Sequence, residues 1–121
     1  MGTRQNHRWQ DVDDARLAAL REGQLLRVMV GRTPVCFARS AGTLHAVEDI
    51  CPHQGQSFAG GTCENGRIIC PWHLKSFDVR TGEGLTGSEG GVRVFSVEEK
   101  DGRVRIGLPH RGISLFGWRI G

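Results

Sequence analysis

Apolar residues recur at every second position over several short stretches, and most of these stretches are bounded by a turn-forming pair. Leu26, Val28 and Val30 alternate with Arg27 and Met29, which predicts a strand. Gly31-Arg32 turns the chain into residues 33–39, where Val35 and Phe37 alternate with Cys36 and Ala38. Ala41-Gly42 turns it again into 43–47. Further on, Val92, Val94, Ser96 and Glu98 alternate with Arg93, Phe95 and Val97. Asp101-Gly102, a strong hairpin dipeptide, leads from there into Val104-Arg105-Ile106, and Asn65-Gly66 leads likewise into 67–70. Residues 9–12 start a further short strand. Residues 13–21 read differently, with Asp13 at the start, Leu17 and Leu20 three apart, and Gly23 just past the end. This predicts one short helix pinned to the core. Short strands with regular turn signals predict an all-β fold, an antiparallel barrel or sandwich, as a single domain over 1–121. Residues 49–77 break the alternation and read as a loop-bearing insert. The tail, 109–121, carries Ile113, Leu115, Phe116, Trp118 and Ile120 and is apolar enough to dock on the body or on another chain.

Composition supports many turns: 18 of the 121 residues are glycine, about twice the usual share. Net charge is +3 and scattered, which excludes the dense basic stripe of a nucleic-acid binder. No apolar run approaches the roughly 20 residues of a membrane span. Residues 1–8 lack the apolar region of an export signal, so a soluble, cytoplasmic protein is expected. Four cysteines in a short chain could form a disulfide framework, but two of them sit beside histidine at ligand-like spacing.

Those two define the chemistry. Cys51-Pro52-His53 is a C-x-H and Cys70-Pro71-Trp72-His73 a C-x-x-H, with sixteen residues between His53 and Cys70. Proline directly after each cysteine favours a fixed turn over a regular element. Two loops that each offer one thiolate and one imidazole can meet over a single metal site. The plainer alternative is two buried cysteines and two histidines that merely lie near each other. Zinc is the rival metal, since Cys2His2 is a common tetrahedral set, though zinc spacings usually pair Cys with Cys and His with His. Alternating Cys and His suits a binuclear centre with one iron on two sulfurs and the other on two nitrogens.

This signature resembles that of the Rieske iron–sulfur proteins. The resemblance runs from about Trp9 to Leu108 and includes Phe77-Asp78 and Arg80-Thr81-Gly82. It implies one 2Fe–2S cluster on a Rieske-like antiparallel β-barrel, held by two loops of a small cluster-binding subdomain at 49–77. It also implies that Cys51 and Cys70 hold the inner iron, and His53 and His73 the outer one near solvent. Two ferric ions, two sulfides, two thiolates and two neutral imidazoles sum to zero formal charge, and to minus one when reduced. Four thiolates would give minus two and minus three, so the mixed set takes up an electron more readily. Rieske centres accordingly span about −150 to +300 mV, against about −400 mV for plant-type ferredoxins. Proton loss from the outer imidazoles can couple to electron uptake. High-potential members carry Ser and Tyr hydroxyls where this chain has Lys75 and Phe77, and a loop-to-loop disulfide where it has Gln56 and Trp72. These departures predict a low potential, roughly −150 to 0 mV. The glycine-rich loop at 82–91 lacks the proline of many relatives, and Leu74 replaces a frequent glycine.

Cys36 and Cys63 have no histidine partner and read as structural thiols; His7, His45 and His110 are dispersed and read as non-ligands. Trp72 is placed to shield the cluster from water. The resemblance is to the small ferredoxins of multicomponent aromatic-ring oxygenases. It implies an electron carrier rather than an enzyme, with a flavin-dependent reductase and a terminal oxygenase as protein partners. A terminal oxygenase itself needs a second, mononuclear iron and a catalytic domain for which no chain remains. The alternative is a small subunit of a nitrite reductase-like complex, many of which lose the four ligands that this chain keeps.

Overall fold

The computed structural model describes residues 7–52, 55–71, 75–85 and 90–109. The alternating stretches become antiparallel strands: β1 (His7–Val12), β2 (Leu25–Val30), β3 (Thr33–Ser40), β4 (Thr43–Glu48), β5 (Thr62–Glu64), β6 (Arg67–Ile69), β7 (Ser76–Asp78), β8 (Val94–Lys100) and β9 (Arg103–Pro109). Six of them form a curled sheet in the order β1-β9-β8-β4-β3-β2, and β5-β6-β7 form a second, smaller sheet. The hairpin pairs explain the connections. Ala41-Gly42, Asn65-Gly66 and Asp101-Gly102 all adopt positive φ at both residues, the geometry whose twist matches that of the strands they join. The two halves of the large sheet meet where β4 pairs with β8 at Ala46↔Phe95 and Val47↔Val94.

The large sheet wraps around one core. Val35, Phe37, Leu44, Ala46, Phe95 and Ile106 are buried in it, joined by Leu17 and by Val12 from β1. β3 is buried on both faces, however. Cys36 and Ala38, opposite Val35 and Phe37, enter a second core with Phe58, Ile68, Phe77 and Val79. The small sheet therefore lies against the outer face of the large one. Alternation along β3 separates two interiors, not interior from solvent.

The expected short helix at 13–21 is corrected: no helix occurs among the described residues, and 15–19 are successive turns. The Leu17 N–H donates to the Asp14 carbonyl (3.1 Å) and the Leu20 N–H to the Leu17 carbonyl (3.2 Å), both three residues back. Groups that a helix would pair internally are taken elsewhere. Arg39 Nη2 donates to the Leu17 carbonyl (2.9 Å) and Arg39 Nε to the Leu20 carbonyl (3.1 Å). The Arg21 N–H donates to Gln24 Oε1 (2.8 Å). A segment this short does not repay helix nucleation against such competitors. Leu17 is nonetheless fully buried, as the pattern required. The segment also links the sheets: the Gly23 N–H donates to the Arg39 carbonyl (2.9 Å), and the Gly23 carbonyl accepts from the Cys63 N–H (3.0 Å). Residues 110–121, most of the expected docking tail, lie outside the described residues.

Candidate metal centre

The first candidate loop leaves the end of β4, and the second joins β6 to β7. Each is closed in the same way. The Cys51 N–H donates to the Gln56 carbonyl and the Cys70 N–H to the Lys75 carbonyl, both at 2.8 Å and both reaching five residues ahead. The Gly55 N–H returns to the Cys51 carbonyl (2.7 Å). The pairing Ile69↔Ser76 fixes the ends of the second loop. In both loops a buried cysteine is followed by an exposed proline, so the chain turns outward at Pro52 and at Pro71. Cys51 is 1% and Cys70 0% exposed, and both belong to the second core. His53, Trp72, His73 and Leu74 lie outside the described residues. Of the four predicted ligands, the structure thus brings the two cysteines together in one interior.

The supports of these loops are specific. Phe58 closes the first loop and packs edge-on against Phe77 of β7, with ring centroids 5.4 Å apart. Gly61 passes so close to the second loop that a Cβ there would sit 2.0 Å from the Ile69 carbonyl oxygen and 3.1 Å from the Pro71 ring. Downstream, Asp78 Oδ1 accepts from the N–H groups of Arg80 (2.8 Å) and Thr81 (3.0 Å). Those bonds, the Arg80 N–H first, hold its carboxyl below the usual range. The start of the glycine-rich loop is tied back to β7, since the Leu85 N–H donates to the Ser76 carbonyl (2.9 Å).

The residues set aside in the sequence behave accordingly. Cys36 and Cys63 are buried thiols of the second core. Burial, reinforced by Asp49, pushes the Cys36 thiol far above its ordinary range, and burial raises Cys63 as well. His45 is half-buried on β4, and burial, then the charge of Arg80, lowers its pKa. His110 and the side chain of His7 lie outside the described residues.

Asp49, at the edge of the insert and without a motif to mark it, is buried and central. Its Oδ1 accepts from the Phe58 N–H (2.7 Å), and its Oδ2 from the Ser57 hydroxyl and from Arg27 Nη1 (2.7 Å). Nothing in the local pattern separates it from the adjacent Glu48, which is only half-buried.

The donor set fits a mixed sulfur–nitrogen metal group. Two thiols are buried in a common core on loops of matching closure, and each is followed within three residues by a histidine. Gln56 Oε1, in the first loop, is buried without a hydrogen-bond partner among the described residues. Interior polar atoms are almost always paired, so this orphan marks a place where the polypeptide is built around another group.

Comparison with known proteins agrees with that geometry. The model of the Rieske 2Fe–2S domain matches residues 8–96. Over 105 residues, 84% of this chain and 86% of the relative, the sequence is 33% identical to the ferredoxin component of the alkene monooxygenase system of Xanthobacter autotrophicus. It is 36% identical over 98 residues to apoptosis-inducing factor 3 of Mus musculus, covering 79% of this chain but spanning only 16% of that longer protein. Among solved structures, it resembles a chain in the complex of reduced oxygenase and oxidized ferredoxin in carbazole 1,9a-dioxygenase. The TM-score is 0.71 and the identity 33%, over 82% of this chain and 92% of that one. A putative NADH-dependent nitrite reductase small subunit from Mycobacterium tuberculosis shares the fold, with a TM-score of 0.75 at 19% identity over 86% of this chain and 97% of that one.

Proposed function

Since the chain belongs to the Rieske 2Fe–2S domain family, with a single 2Fe–2S cluster as its cofactor, we propose that Cys51, His53, Cys70 and His73 hold that cluster. The observation that carries this assignment is the pair of matching loops, each presenting a buried cysteine to the same core. Cys51 and Cys70 supply thiolates from the inner side. His53 and His73 would supply imidazoles, one and two residues past the exposed Pro52 and Pro71. When bound, such a cluster takes up and gives back one electron at a time. The chain's own groups do the rest: the loop closures fix the thiolates, and Phe58 and Phe77 keep water from the inner face. The fully buried Phe77 brings no hydroxyl to the site, which supports a potential toward the low end of the Rieske range, roughly −150 to 0 mV. In this reading residues 49–77 are the cluster-binding subdomain of one domain.

The protein is an electron carrier. We assign it a flavin-dependent reductase as donor and a terminal oxygenase as acceptor. That routing is supported by the likeness, at 33% identity, to a protein named as a ferredoxin component and to a chain of an oxygenase–ferredoxin complex. Likeness to the nitrite reductase subunit, at 19% identity, concerns the fold alone. No helix among the described residues is long and apolar enough to cross a membrane. The four cysteines carry no disulfide, which suits a cytoplasmic location.

The test is anaerobic reduction of the purified protein with iron and sulfide analysis. Equal iron and acid-labile sulfide, one electron taken up per chain, and loss of that centre in His53→Ala and in His73→Ala are expected. One zinc per chain and no reducible centre would overturn the assignment. Rapid reduction by a flavoprotein reductase, followed by reoxidation by a terminal oxygenase, tests the routing.

A further inference from the structure

Asp49 stands two residues before Cys51, so their Cα atoms lie at most about 7.6 Å apart. Its side chain is 0% exposed, while that of its partner Arg27 is 41% exposed. The Asp49 N–H donates to the Pro34 carbonyl (2.8 Å), which fixes the residue to β3. Its carboxylate accepts from Ser57 and Phe58, at the far end of the first loop. One side chain thus gathers both ends of the loop that carries Cys51. A carboxylate at that depth needs compensation, and Arg27, reaching over from β2, provides it at 2.7 Å. The two charges differ in burial. Asp49 sits in the interior, where screening by salt is weak, and Arg27 reaches the solvent.

We propose that Asp49 is the positioning residue of the first ligand loop, and that Arg27 cancels a negative charge that would otherwise hold the cluster oxidised. The inference rests on the ligand assignment above. A site that gains an electron is disfavoured by a buried negative charge nearby. The pair therefore combines two effects: Asp49 fixes where Cys51 stands, and Arg27 removes the electrostatic consequence of using a carboxylate to do so.

The experiment is an EPR-monitored redox titration of the cluster-loaded full chain in five forms. Arg27→Gln is expected to lower the midpoint potential, Asp49→Asn to raise it, and the double variant to fall between the two. Arg27→Lys keeps the charge and the wild-type potential. Asp49→Asn is also expected to release iron to a chelator several-fold faster than Arg27→Gln. A purely structural clamp would shift both single variants in the same direction without repair in the double variant, and that result overturns the proposal. If Asp49→Asn does not retain its cluster, Arg27→Gln still decides, because it alters a half-exposed side chain: an unchanged potential there overturns the proposal. A wild-type protein with no reducible iron–sulfur signal would instead overturn the ligand assignment.

Discussion

The two cores of this small protein are built from different materials. The core inside the curled sheet is hydrocarbon, with Val35, Phe37, Leu44, Phe95 and Ile106 as its body. The core between the sheets contains all four cysteines, and the buried Asp49 carboxylate bonds to Phe58 within it. The first can be stabilised by apolar burial alone, at about 25 cal/mol per Å² removed from water. The second is tied together by backbone crosslinks, such as Gly23 between Arg39 and Cys63, and by polar clamps. One interior gives the fold its stability, and on the proposed assignment the other holds the cluster against it. β3 belongs to both, with Val35 through Arg39 buried without interruption.

That division can be broken at either side. The largest effect is expected from Cys70→Ser, which should abolish the visible iron–sulfur absorption. Far-UV circular dichroism should still report the large sheet, because Cys70 contributes nothing to the first core. Next, Phe37→Ala should cost about 3–5 kcal/mol in urea unfolding while leaving the EPR signal of the loaded protein unchanged. Gly61→Ala forces a Cβ to within 2.0 Å of the Ile69 carbonyl oxygen. It should cost about 1–3 kcal/mol and, unlike Phe37→Ala, speed the loss of iron to a chelator.

The smallest effect concerns acid. The Asp78 carboxyl is held below its ordinary range, chiefly by the Arg80 N–H. Its contribution is present above the unfolded-state value near 4 and is lost as pH falls through the lower folded value. Asp78→Asn should therefore lower the urea midpoint slightly near neutrality and flatten its fall below about pH 5, converging on wild type in acid.

Hairpins were legible because their chemistry is local. Asn65-Gly66 and Asp101-Gly102 tolerate the positive φ that the turns demand, and they place β5–β6 and β8–β9 without reference to the rest of the chain. The cysteine loops were legible for the same reason, since proline after each cysteine signals a turn. What could not be read depended on distant partners. Residues 13–21 carry helical signals, yet Arg39, nineteen residues beyond Leu20, takes the carbonyls. β5 offers one apolar residue, Cys63, and owes its conformation to β6 and to Gly23. Cys36 and Ala38 alternate with Val35 and Phe37 as a solvent face would, but both are apolar enough to serve a second interior. Asp49 resembles any surface acid until Arg27, Ser57 and Phe58 converge on it.

On the proposed assignment, two sulfurs and two nitrogens of this chain share a pair of irons. It is tested most directly by pulsed EPR on the reduced protein with its histidines labelled with nitrogen-15. Hyperfine coupling to two histidine nitrogens is expected in the reduced wild-type protein. A reduced cluster without histidine nitrogen coupling, or no paramagnetic centre in the wild-type protein, would contradict it.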